Sequence, residues 1–260
     1  MFDSKFLYVG CGAHQIEGFI HADISVYKLS KITEIEKKKI DIICDITDNI
    51  PLPNKSLEVI FSRDTLEHLT WKELINHFLE CHRLLIDGGI IRLTVPNFDK
   101  MIEKYRNQNE NLADAIKNSE VSTSISPIEN HTDLFINRVL YHDHYYLHNF
   151  DTMKRALEKC GFGDTKEVKP GETSISSLKS IFFEAENNID GLSIHIESKK
   201  IKLPNIKKFE KKFPKNFIKK ILVILFNINI TPFIKRRPMF PNSKWFFEKY
   251  LMVKQFFGFK

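Results

Sequence analysis

The stretch Phe6–Ser25, FLYVGCGAHQIEGFIHADIS, decides the fold. Phe6-Leu7-Tyr8-Val9 is an apolar run of strand-forming residues. Gly10-Cys11-Gly12 follows at once. Glycines at a strand end let the backbone turn tightly and approach a ligand with no Cβ in between. Phe19-Ile20-His21-Ala22 is a second short apolar run, and it delivers Asp23. A carboxylate just past a second parallel strand is placed to accept both hydroxyls of a ribose. The stretch reads as strand, glycine turn, connector, strand and acid, a layout suited to a nucleoside-bearing ligand.

The connector narrows the choice of ligand. A dinucleotide fingerprint needs G-x-G-x-x-G and a helix whose N-terminus meets a pyrophosphate. Here Gln15 stands at the third glycine position, and only ten residues separate Gly12 from Asp23. That is too short for a full crossover helix, and no Walker loop is present. A cofactor with ribose and adenine but without phosphates fits best, namely S-adenosylmethionine.

Downstream the pattern alternates between strand and helix. Val26–Lys39 carries Leu29, Ile32 and Ile35 at helical spacing and ends in three lysines, which favour a helix C-terminus. Ile40–Cys44 reads as a buried strand leading to Asp45-Ile46. Asp45 suits the exocyclic amine of an adenine, with Ile46 packing on the ring; it equally suits a turn cap. A turn-rich loop over residues 48–54 precedes a fourth strand, Leu57–Ser62, with Ser62 and Arg63 at its end. Thr70 with Glu73 forms a capping-box pattern for a helix whose apolar face is Trp71, Leu74, Ile75, Phe78 and Leu85. Asp87-Gly88-Gly89 is expected to stop that helix by the left-handed glycine route. Ile90–Val95 is a fifth strand. The alternation predicts an α/β fold with a mostly parallel sheet and helices on both faces. Gly10–Gly12, Asp23, Asp45 and Ser62–Arg63 all fall at carboxyl ends of strands, where such sheets bind ligands.

The ordered set of motifs resembles the class I S-adenosylmethionine-dependent methyltransferases of the type 11 group, with their Rossmann-like sheet. The residues that carry it are Val9-Gly10-Cys11-Gly12, Asp23, Cys44-Asp45, Ile50-Pro51-Leu52-Pro53, Leu66-Glu67-His68-Leu69 and Arg83-Leu84-Leu85-Ile86-Asp87-Gly88-Gly89 leading to Val95-Pro96. The resemblance implies Gly10, Cys11 and Gly12 against the methionine part of the cofactor, Asp23 and Ile24 at the ribose, Asp45 and Ile46 at the adenine, and Ser62 and Arg63 beside them. Two features depart from the family. Tyr8 stands where many members have an acid, and the first connector is short. The short form resembles small bacterial members associated with surface-polysaccharide genes.

Residues 97–150 are expected to cover the acceptor, with Phe98–Tyr105 and Leu112–Ile116 helical. The run HTDLFINRVLYHDHYYLHNF at 131–150 is rich in histidine and aromatic residues. An aromatic-lined polar pocket is the expectation there, and His142-x-His144 lacks the further ligand spacing of a metal site, so no metal is expected. His68, His144 and His148 are the candidates for removing an acceptor proton. Asp151 is expected to cap a helix over Thr152–Cys160, Thr165–Lys169 to be a strand, and Leu192–Glu197 to be the last, antiparallel strand.

Charge divides the chain in two. Residues 201–260 hold 15 Lys/Arg against 2 Asp/Glu, or +13, and 11 of the 22 phenylalanines; residues 1–200 hold 24 against 31, or −7. The expected organisation is a methyltransferase domain over 1–200 and a basic, aromatic appendage over 201–260. The appendage suits peripheral contact with anionic lipid; docking of its apolar run on the domain or on a second subunit is the next alternative, with nucleic acid as a weaker fit. Its longest apolar run is far below the roughly 20 residues of a spanning helix. Four cysteines without CxxC spacing indicate a reducing compartment. No leader pattern opens the sequence, so a cytoplasmic location, peripheral at the inner membrane face, is expected. The leading reading is methyl transfer to a hydroxyl of a small-molecule sugar or glycolipid acceptor. RNA methylation and a non-catalytic methyltransferase-like binding module stay open, and the oligomeric state is not set by the sequence.

Overall fold

Strand β1 (Phe6–Val9) lies in the middle of a seven-stranded sheet. The computed structural model describes residues 4–12, 14–23, 40–108, 111–114, 127–140, 144–187 and 191–209. The other strands are β2 (Ile20–Asp23), β3 (Ile42–Ile43), β4 (Leu57–Arg63), β5 (Leu85–Pro96), β6 (Phe162–Val168) and β7 (Ser193–Lys200), in the order β3-β2-β1-β4-β5-β7-β6. Adjacent pairs from β3 through β5 are parallel, and β7 runs antiparallel to both its neighbours. This is the Rossmann-like sheet expected, with the last strand reversed. Order reverses at β1, so the carboxyl ends of β1 and β4 open a crevice where chemistry can be placed.

The two faces of the sheet are packed differently. Along β1, Leu7 and Val9 point to one core while Tyr8 points to the other. The larger core lies under α1 (Trp71–Leu84) and α4 (Phe150–Lys159), which bury Leu74, Ile75, Phe78, Met153, Ala156 and Leu157. The smaller core joins Tyr8, Val59 and Phe61 to Leu178 and Phe182, the latter on α5 (Lys179–Glu186). Residues 178, 181, 182 and 185 repeat at helical spacing, so α5 was visible in the apolar pattern although the reading above passed over it. Two further helices, α2 (Phe98–Asn107) and α3 (His131–Leu140), follow β5 and precede α4. Among the described residues no helix is long and apolar enough to cross a membrane.

Several boundaries differ from expectation for local reasons. Helix α1 starts from the predicted Thr70–Glu73 capping box but ends at Leu84, with Leu85 extended. Leu85 is fully buried and pairs with Leu57, so core packing captures it as the first residue of β5; the left-handed Gly88 lies inside that strand, where the pairing register with β4 shifts between Leu57 and Val59. Strand β3 is only two residues long, because it is a sheet edge with Ile43 54% exposed. Helix α4 is capped by Asn149, whose side chain accepts from Thr152 N, and not by Asp151. The expected helix over Val26–Lys39 and most of the appendage, residues 210–260, lie outside the described residues.

A buried ion pair ties the frame together. Arg92 of β5 donates through Nε and Nη2 to both carboxylate oxygens of Glu186 on α5, at 2.6 and 2.5 Å, and neither side chain is exposed. Arg92 also donates to the carbonyls of Glu172 and Lys169. Past β7 the chain stays on the domain as far as it is described. Asn76 donates to the Phe209 carbonyl and accepts from the Phe209 N–H, at 2.9 and 2.6 Å, while His82 Nε2 donates to the Lys202 carbonyl.

Candidate functional site

The glycine turn is held from both sides. Gly10 and Gly12 have φ of +68° and +55°, which an L side chain rarely adopts. Gly10 N donates to the Ala22 carbonyl at 2.8 Å, fastening the turn to β2. A Cβ on Gly10 would lie 2.1 Å from Thr65 Oγ1, so a side chain is excluded there. A Cβ on Gly12 would meet nothing within 4 Å, so the turn faces open space at this point. Gly12 N donates to Asp23 Oδ2 at 2.7 Å, which aims the carboxylate at the same space. A ribose-bearing cofactor without phosphates fits this cradle: it offers backbone and one acid, with no helix N-terminus.

The other expected cofactor residues are placed unevenly. Cys11 turns its side chain into the smaller core, where burial, then the Asp23 charge, pushes the thiol up to about 12; only its backbone faces the turn. Tyr8 is buried likewise, and burial raises its phenol. Asp45 follows β3 and accepts from Thr47 N and Oγ1 at 3.0 and 2.7 Å, so it acts as a turn cap at the place expected for an adenine acid. Ile46 sits in the larger core, 7% exposed, and its carbonyl accepts from His77 Nδ1 at 2.9 Å. Ser62 is fully buried at the end of β4 beside Val9. Arg63 turns away from the crevice and donates to the Ala185 carbonyl and to Asp64, since its alternation along β4 points it at α5. Ile24 lies outside the described residues.

The chain leaving β4 makes the second half of the site. Asp64 is left-handed (φ +48°), and Thr65 Oγ1 contacts the carbonyls of Arg63 and Gly10 at 2.8 and 3.2 Å. Thr65 thereby locks this chain to the glycine turn. A single 3-10 turn over Leu66–His68 follows. Leu66 and Glu67 are buried, and His68 is half-buried. The Glu67 carbonyl accepts from both Tyr145 N and Tyr146 N, at 2.8 and 3.2 Å. That pair of bonds brings His144 against His68, with ring centroids 5.2 Å apart. One ligand atom from each of Glu67, His68 and His144 lies within 4.8 Å of the others. His148 is different: it is fully buried, packed on Tyr146, and burial pushes its imidazole down to about 4. A side chain with no exposed surface does not reach an acceptor, so His148 is a packing residue and His68 and His144 are the pair the structure brings together. Glu67 belongs to the Leu66-Glu67-His68-Leu69 motif read from the sequence, which assigns it no role in the site, and Thr65, in the same D-T-L-E-H run, carries no signal of its own. His142 lies outside the described residues.

The proline loop is fixed from α1. Arg83 donates to the carbonyls of Ile50 and Leu52 and to Asn54, and its partner Glu80, nearly fully buried, accepts from Ile50 N at 2.7 Å. This explains the R-x-L-x-x-G-G run physically: its arginine holds the loop that follows Asp45.

Comparison with known proteins completes the description. Residues 7–93 match the family model described as a methyltransferase domain. No curated protein matches the chain. Among solved structures, the chain is similar to the CurJ carbon methyltransferase, at 16% identity and TM-score 0.42, covering 77% of this chain and 50% of that one. It is also similar to a SAM-dependent methyltransferase from Archaeoglobus fulgidus, at 16% identity and TM-score 0.44, covering 76% and 86%. A third is the YcgJ protein from Bacillus subtilis, at 13% identity and TM-score 0.46, covering 76% and 92%. The chain thus spans half the length of the first of these and most of the other two.

Proposed function

We propose that the chain, whose residues 7–93 match a methyltransferase domain model, uses S-adenosylmethionine to methylate a hydroxyl of a sugar or glycolipid acceptor. The cofactor supplies a methyl group on a positively charged sulfur. The chain's own residues do the rest. Gly10–Gly12 present backbone to the methionine part, Asp23 accepts from the ribose, and Asp45 stands at the adenine end. Thr65 fixes the distance between that cradle and the turn that follows β4. An acceptor hydroxyl is a poor nucleophile until its proton is moved, so a group that takes the proton must stand beside it. The observation that carries this reading is the half-buried His68–His144 pair, 5.2 Å apart, on a turn bonded directly to the Gly10 carbonyl. Holding acceptor and donor in line supplies the larger share of the rate, and Thr65 and the Glu67–Tyr145 bond hold the two halves in register.

The sugar class rests on the short first connector and on the +13 of residues 201–260, which suits a protein working at an anionic lipid surface. The end of β4 and the residues that leave it read Ser62-Arg63-Asp64-Thr65, not the N/D-P-P-Y/F run of amino methylation of bases. The test is transfer of labelled methyl from S-adenosylmethionine by the full chain to nucleotide sugars, lipid-linked sugars and RNA, offered separately. Label in an alkali-stable sugar ether is the expected result. Label in RNA alone overturns the sugar assignment.

A further inference from the structure

We propose that Glu67, His68 and His144 bind one divalent transition-metal ion, leaving coordination positions for oxygen donors of the acceptor. The inference deepens the acceptor reading above and rests on it for the ion's role, but the site itself stands on three observations. The first is the donor set. Two imidazoles and one carboxylate suit zinc and the neighbouring first-row ions, and three protein ligands leave at least one position open.

The second is distance. Ligand atoms at about 2.0–2.2 Å from a common ion lie about 3.3–3.6 Å apart in a tetrahedral site. The three atoms already lie within 4.8 Å of one another. Closing the remaining gap takes no more than about 1.5 Å, a movement that rotation of two half-buried imidazoles supplies.

The third is how the set is built. Glu67 and His68 share one 3-10 turn, and the two N–H groups of Tyr145 and Tyr146 fasten His144's segment to the Glu67 carbonyl. The carboxylate that both imidazoles face is only 2% exposed. The site is open on its histidine side and sits next to the glycine turn through Thr65. A His–Cys contact elsewhere, His77 with Cys81 at 3.4 Å, is closed by contrast: both are fully buried, and burial holds the thiol protonated. The sequence reading, which expected no metal, weighed His144 with His142 and so missed its partners after β4. With an ion bound, His68 and His144 would serve as ligands in place of the proton-accepting role given them above, and the ion would polarise the acceptor hydroxyl so that its proton leaves to solvent.

The test uses the full chain, freed of metal with a chelator and titrated with cobalt(II), followed by visible absorption and calorimetry, and then with zinc. The expected result is one ion per chain and a visible ligand-field band without a thiolate charge-transfer band. His144→Ala and Glu67→Gln should each weaken binding by about tenfold or more. S-adenosylmethionine affinity should be unchanged in His144→Ala, with circular dichroism confirming the fold. No saturable binding, equal affinity in both variants, or a thiolate band overturns the site. Metal binding without methylation of any sugar supports the site and removes the acceptor reading. Sugar methylation that survives complete metal removal overturns the ion's role while leaving that reading intact.

Discussion

The two halves of the crevice are made in opposite ways. The half after β1 and β2 is local and built from backbone: Gly10, Gly12 and Asp23 lie within one short stretch, and Gly12 N bonds Asp23 directly. The half after β4 is assembled from side chains far apart in the chain, with His144 delivered to His68 by the Tyr145 and Tyr146 bonds to Glu67. A cofactor common to many reactions is met by backbone geometry that tolerates little change. An acceptor particular to one reaction is met by side chains on a separable segment. Thr65 is the joint between the halves.

The frame that both halves share should give the largest effect. Arg92→Met leaves the Glu186 carboxylate buried without its guanidinium, and chemical denaturation should show a loss of about 3–5 kcal/mol. A loss below about 1 kcal/mol would mean that β5 and α5 are held by packing alone, and that the halves do not depend on a common ion pair. Next comes the cofactor half. Gly10→Ala drives a Cβ into Thr65 at a left-handed backbone position, so it should cost about 1–3 kcal/mol of stability and abolish cofactor binding. Normal cofactor affinity in this variant would show that the turn is not the cradle.

Asp23→Ala is subtler, since the fold tolerates it. Losing charged hydrogen bonds should weaken S-adenosylmethionine by about 1.5–3 kcal/mol, or roughly tenfold to a hundredfold. The same change should leave metal affinity at the other half untouched. The smallest effect is expected at His148. Its folded-state value of about 4 lies below the ordinary 6.5, so the folded protein keeps it neutral. Its contribution is present above pH 6.5 and is lost as pH falls toward 4, where the unfolded chain binds the extra proton. Unfolding free energy of His148→Leu should therefore fall less steeply between pH 6.5 and 4 than that of the unaltered chain. His77 and His195 are shifted the same way by burial and keep part of the slope in place. An unchanged slope would return His148 to the solvent-facing group.

The same contrast explains what could be read without coordinates. The strand β1, the glycine turn, Asp23 and the Thr70 cap are written in contiguous residues, and each stands where the sequence places it. Asp45's capping of Thr47 was one of two roles its neighbours allowed. The errors are of a different kind. Leu85 was assigned to a helix because its spacing fits one, yet its pairing with Leu57 claims it for β5. The bond from Arg63 to the Ala185 carbonyl and the packing of Ile46 in the larger core are tertiary contacts that position along the chain does not report. Glu67 and His144 meet only through tertiary hydrogen bonds, which no local pattern reports.

Calorimetric titration with S-adenosylmethionine across three forms of the full chain, unaltered, Asp23→Ala and His144→Ala, tests the account most directly. Saturable binding in the unaltered chain and in His144→Ala, with marked weakening in Asp23→Ala, is the predicted result and would show two separable halves. Absence of binding to the folded, unaltered chain, or equal affinity in Asp23→Ala, would contradict it.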